Sequence, residues 1–190
     1  KVTENQVETN WSMAGVIPSD PDWAGGTVFR DEREVVIEAP DWAVFRAVCR
    51  VGGGHGWYAA DWLWRIRGWI DLVVGGPGLR RGRRDRERVH YGEALDFWRV
   101  VGLERDKTLV LRAEMKLPGD ALIEFRMETR REFQCMLQQR ALFHPRGLFG
   151  LLYWYAVAPL HHMVFRGMLL GIRREALKIA AGPERSTRAS

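Results

Sequence analysis

Two polar side chains fall where the surrounding pattern expects apolar ones. Gln139 shares the parity of Phe133, Cys135, Leu137, Ala141 and Phe143 in a run that alternates residue by residue. His161 lies on a helical-spacing stripe with Trp154, Val157, Phe165, Met168 and Ile172. A carboxamide supplies a donor and an acceptor, and an imidazole exchanges a proton near neutrality. Such a pair can orient a ligand or act as acid and base. The plainer alternative for His161 is a core histidine with its ring nitrogens satisfied. Asp96 and Arg99 add a further possibility, but the parity of residues 95–101 is ambiguous: one of the two points inward, not both.

Other constellations carry less. The five histidines, His55, His90, His144, His161 and His162, show no metal-ligand spacing, and neighbours such as His161 and His162 project about 100° apart on a helix. The loop Gly52–Gly56 (GGGHG) has the glycines of a phosphate cradle, but a helix precedes it where a dinucleotide fingerprint needs a strand, so it reads as a turn between helices. No GxSxG, P-loop or HExxH pattern occurs. Arg80, Arg81, Arg83, Arg84, Arg86 and Arg88 stand against Asp85 and Glu87, giving a local charge of +4 within a net +5. The basicity is therefore local. Arg80, Arg81, Arg83 and Arg84 are candidates for contact with an anion or a partner, while a solvated charge run is the plain alternative and nucleic acid is not favoured.

These side chains must be positioned by ordinary elements. Glu34–Ala39 reads as a short strand, and Pro40 with Asp41 as a strand end followed by a helix N-cap. Trp42, Phe45, Val48 and Cys49 form one helical stripe. A second helix is expected from Tyr58 to Val74, burying Trp62, Ile66, Trp69, Ile70 and Val73, with Asp61–Arg65 and Arg67–Asp71 as outer ion pairs. The period then changes to two. Ala94–Val101 is one expected strand. Leu109, Leu111, Ala113, Met115 and Leu117 alternate with charged residues in the next, and Ile123, Phe125 and Met127 in a third. The Gln139 run makes the fourth strand of a meander. Pro145 and Gly147 end it, and a helix follows from Leu148 to Leu177, kinked at Pro159. That helix approaches a membrane span in length, yet its histidines, Arg166 and Pro159 are costly in lipid, so it is expected to cover the sheet and not to span.

With 190 residues, 46% of them hydrophobic, the chain can bury a sizeable core. Its nine tryptophans are mostly expected as core filler. Cys49 and Cys135 are expected as buried free thiols, which fits a reducing compartment. The sequence begins with Lys1 and shows no basic-then-apolar leader, so a cytoplasmic location is expected. Residues 1–31 read as an arm or linker from a preceding domain, 32–181 as the domain itself, and 182–190 as a disordered tail.

The segments Gly56–Arg84, Asp96–Val100 (DFWRV), Leu111–Gly119 (LRAEMKLPG) and Phe143–Phe165 together resemble an uncharacterised bacterial domain. That domain is often fused behind an atypical short-chain-dehydrogenase or epimerase-like NAD(P)-binding domain, and Thr9–Phe29 resembles the junction. The resemblance implies an α+β helix-grip fold of the START-like, birch-pollen-allergen-like kind: a curved antiparallel sheet around a long C-terminal helix, with two shorter helices after the first strand. It implies no cofactor in this domain, NAD(P) in the preceding one, and that domain of the same parent chain as a partner. It supplies no catalytic residues. The expected function is binding of a small apolar or amphipathic molecule between sheet and helix. The expected lining is Phe97, Arg99, Leu111, Met115, Phe125, Met127, Leu137, Gln139, Trp154, Val157, His161 and Phe165. A cyclase- or dehydratase-like enzyme in the same cavity and a docking or dimerisation module are the alternatives.

Overall fold

A computed structural model of the chain describes residues 28–52, 56–58, 61–73, 75 and 89–182. The elements run β1 (Phe29–Ile37), α1 (Asp41–Cys49), α2 (Asp61–Val73), β2 (Ala94–Leu95), β3 (Trp98–Glu104), β4 (Thr108–Ala113), β5 (Gly119–Arg131), β6 (Gln134–Pro145) and α3 (Gly147–Ala181). Six strands form one antiparallel sheet in the order β1-β6-β5-β4-β3-β2. The first strand closes against the last, so the meander is bracketed by the segments before and after it.

The alternation fixes the inner face. Leu109 pairs with Phe125, Phe125 with Gln139, and Gln139 with Arg33, so the four side chains share one row. Leu111, Ile123 and Ala141 form the next row, which ends on Asp31. Charges take the outer face, where Glu32 meets Arg140 across strands at 2.8 Å. α3 lies over the inner face, with Phe165, Met168, Leu169, Ile172 and Ala176 buried. α1 packs between α3 and the sheet, and Arg50 at its end bonds Glu175 of α3 at 2.7 Å. Gly171 makes room for the Tyr58 corner: a Cβ there would lie 2.2 Å from the Tyr58 Cβ.

Several local expectations need correction. β1 begins at Phe29, well before Glu34. Pro40 holds the N-cap position of α1, and Asp41 sits in its first turn, accepting from its neighbour Trp42 N–H and from the Thr129 hydroxyl. The buried side of α1 is Ala43, Val44, Ala47, Val48 and Cys49, leaving Trp42 and Phe45 half-buried. The segment expected as one strand over 94–101 reverses at Asp96–Phe97, and β3 carries a register shift between Val100 and Gly102. Phe133 is exposed in the turn between β5 and β6.

The largest departure is α2. Trp62, Ile66, Trp69, Ile70 and Val73 were expected to face the core and are instead exposed. Asp71, expected outside, is buried and accepts the Lys116 N–H at 2.7 Å. A single apolar face at helical spacing exists, but no element of the described fold lies against it. Asp61 and Arg67 fall outside the described side chains, and with them both expected ion pairs.

Candidate functional site

The site is built where β1 and β6 meet the middle of α3. β1 reads FRDEREVVI, and its exposed positions are Arg30, Glu32, Glu34 and Val36. Phe29, Asp31, Arg33, Val35 and Ile37 therefore point inward. Arg33 grips Asp31 with two bonds, Nε to Oδ1 at 2.7 Å and Nη2 to Oδ2 at 2.6 Å. It also reaches α3, donating from Nη1 to the His162 carbonyl at 3.0 Å, with Nη2 3.3 Å from His162 Nδ1. A bidentate guanidinium–carboxylate pair holds both groups in a fixed orientation.

Gln139 stands between Arg33 and Phe125 in the register. It is 1% exposed, and neither its carboxamide oxygen nor its nitrogen has a hydrogen-bond partner. Buried polar atoms are almost always paired, so an orphaned amide on the inner face of a sheet calls for a partner. His161 shows the same feature: its Nδ1 is buried without a partner. Its ring stacks on Phe165 with centroids 5.0 Å apart and meets Trp154 edge-on at 5.3 Å. Burial lowers its pKa from the usual histidine value; the Asp31 carboxylate opposes that shift and the Arg33 guanidinium adds to it. Burial thus favours the neutral form of the imidazole.

Aromatic rings close one end. Trp154 stacks on Phe29 at 4.9 Å and on Phe143 at 5.7 Å. Burial falls along the α3 stripe from Ile172 and Met168, fully buried, to His161, Val157 and Trp154, which are half-buried. The grip is thus tight toward the C-terminal half of α3 and looser toward its N-terminal half.

The expected lining residues fall into separate groups. Leu111, Phe125, Met127, Leu137 and Gln139 are buried on the inner face, with Trp154, Val157, His161 and Phe165 opposite them on α3. Met115 is buried beyond the end of β4. Phe97 sits in the β2–β3 turn and stacks on Trp57 at 5.9 Å, in a corner where Trp57 Nε1 donates to Asp96 Oδ2 at 2.9 Å. Arg99 is a correction. It pairs with Arg112 and Ala94 on the outer face, bonds Glu114, and donates to the Gly92 carbonyl at 2.7 Å. Asp96 is buried but lies in the turn, so neither residue of the ambiguous pair supplies the inward charges. Asp31 and Arg33 do, and neither is among the expected lining residues. Arg80, Arg81, Arg83 and Arg84 lie outside the described residues, as does His55. Among the described residues, no group of three or more His, Cys, Asp or Glu could hold a metal ion.

A family model described as a protein of unknown function, DUF2867, matches residues 23–168. The chain belongs to the DUF2867 family. No curated protein matches it. Among solved structures, this DUF2867 chain is similar to the Zhui aromatase/cyclase from Streptomyces sp. R1128, at 15% identity and a TM-score of 0.51, over 82% of this chain and 99% of that one. Truncated norcoclaurine synthase from Thalictrum flavum aligns at 11% identity and a TM-score of 0.49, over 80% and 95%. Ara h 8.0201 aligns at 12% identity and a TM-score of 0.48, over 80% and 99%. The first of these shares the helix-grip architecture, which the sheet order and the placement of α3 show independently.

Proposed function

We propose that this domain binds a small apolar or amphipathic molecule between the sheet and α3, with its polar group held by Gln139 and His161. The observation that supports this reading is that both groups lack partners: a buried carboxamide on the inner face of β6 and a buried Nδ1 on α3, the helix that covers that face. A ligand hydroxyl or carbonyl satisfies them, and the Trp154, Phe165 and Phe125 rings supply apolar contact. Asp31 and Arg33, already paired, fix the floor beside them. In the parent protein this domain would serve as an accessory to an NAD(P)-binding, epimerase- or dehydrogenase-like domain preceding residue 1, a reading that rests on the sequence resemblance. Native mass spectrometry of the protein as purified tests the binding. The expected result is a bound mass of a few hundred daltons that is lost in Gln139→Leu. Ligand-free spectra, together with no displaceable binding of an apolar dye, would refute it.

A second reading has one observation in its favour. His161, whose neutral form is favoured by burial and whose Nδ1 has no partner, is suited to accept a proton from a bound substrate. A cyclase- or dehydratase-like reaction in the same space would use His161 as base and Arg33 to stabilise developing negative charge. Turnover of a hydroxylated ketone substrate that is abolished in His161→Phe while dye binding persists would support it.

A further inference from the structure

We propose that the site selects a ligand whose polar end is an uncharged hydroxyl, and that the Asp31–Arg33 pair sets this selection because its two charges cancel each other. The inference rests on the reading that a small molecule binds between the sheet and α3, and it adds the chemical class admitted there.

The carboxamide dictates the hydrogen-bonding type. Oε1 and Nε2 of Gln139 are both buried without a partner, so the complementary group must donate to one and accept from the other. A hydroxyl does both. A carboxylate or an ether oxygen only accepts, and an ammonium only donates. Nδ1 of His161 is a further unpartnered nitrogen, on the helix that covers this face.

Charge narrows the class. Gln139 lies beside Arg33 in the register, in a row whose members on β4 and β5 are Leu109 and Phe125. The next row holds Leu111, Ile123 and Ala141 and ends on Asp31. Arg33 and Asp31 are mostly buried, with side chains 16% and 19% exposed. Both oxygens of the Asp31 carboxylate accept from Arg33, at 2.7 and 2.6 Å, and Nη1 of Arg33 turns away to the His162 carbonyl at 3.0 Å. The pair is closed on itself. α3 adds no compensating charge: Arg166, Arg173 and Arg174 are exposed, and Glu175 bonds Arg50 at 2.7 Å. A ligand carboxylate brought to Gln139 would leave water near the Asp31 carboxylate with Arg33 already engaged. An ammonium would do so near Arg33 with Asp31 already engaged. Burying a charge without a partner costs far more than burying a hydroxyl that finds its hydrogen bonds.

The test is displacement of the uncharged dye N-phenyl-1-naphthylamine from the full chain at neutral pH. The competitors share one skeleton: 2-naphthol, 2-methoxynaphthalene, 2-naphthoate and 2-naphthylmethylammonium. Naphthol should bind about tenfold or more tightly than each of the other three. Asp31→Asn keeps the side-chain shape and frees the guanidinium, so naphthoate should gain about tenfold or more relative to naphthol. Arg33→Gln should give the ammonium a similar gain. A pair that only held β1 against α3 would weaken all four competitors alike, and retained dye binding shows that each variant keeps its cavity. Naphthoate, the ammonium or the ether binding the unsubstituted protein as tightly as naphthol would overturn the selection while the binding reading stands. So would variants that keep the original order of preference. Failure of the unsubstituted protein to bind the dye or naphthol would overturn the binding reading and this inference with it.

Discussion

Replacing Gln139 by leucine should make the empty protein more stable while destroying its ligand affinity. The carboxamide is 1% exposed and makes no hydrogen bond, so folding removes it from water without compensation. Mutational data put that cost at about 1–3 kcal/mol for an uncompensated polar group. Leucine is close in size and adds apolar burial beside Phe125 and Leu137, so the change should recover about that amount. For a chain of this length the melting temperature then rises by roughly 2–4 °C per kcal/mol. Ligand binding should move the other way, because the site loses the donor and acceptor that orient the polar group. Urea denaturation of the ligand-free protein measures the first effect and dye or ligand titration the second. A Gln139→Leu protein destabilised by about 2 kcal/mol or more would refute the reasoning, since that is the signature of a carboxamide already satisfied within the fold.

Three further outcomes follow from particular contacts. His161 has a lowered folded pKa, so between the ordinary histidine value and the lowered one the unfolded chain binds more protons. Stability should be intact above that window, fall as pH drops through it, and level off below; His161→Phe should lack this part of the profile in denaturation midpoints. Burial, with the Asp41 charge adding to it, pushes the Cys135 thiol up to about 11. At pH 7 about one molecule in 10⁴ carries the thiolate, so a disulfide reagent should label Cys135 only on unfolding, and rapid native labelling would contradict its placement. Gly171→Ala should cost about 1–3 kcal/mol through its clash with Tyr58, read by chemical denaturation, and a neutral result would mean the Tyr58 corner is misplaced.

The sheet was legible because its alternation is strict. Leu109, Leu111, Ile123, Phe125, Leu137 and Gln139 keep one parity through three strands, and each lies on the inner face. β1 hid the rest of the site because both of its faces carry charge. Asp31 and Arg33 point inward while Arg30, Glu32 and Glu34 point outward, so polarity alone does not separate the faces. The available signal was Phe29, Val35 and Ile37 sharing the parity of Asp31 and Arg33. Arg99 was misplaced because a turn at Asp96–Phe97 interrupts what reads as one run. For α2, periodicity gave the apolar face correctly but not what meets it: a stripe at helical spacing is the same whether it faces a core or an outside surface.

Joint capture of a ligand's polar group by Gln139 and His161 leaves a signature at both side chains. The most direct measurement is nuclear magnetic resonance of the Gln139 side-chain amide and the His161 ring during titration with an anilinonaphthalene dye. Shifts should appear at both groups and at Trp154, in proportion to occupancy, while the Trp57 indole N–H bonded to Asp96 stays unchanged. Saturable dye binding that leaves the Gln139 amide and the His161 ring unmoved would contradict the account.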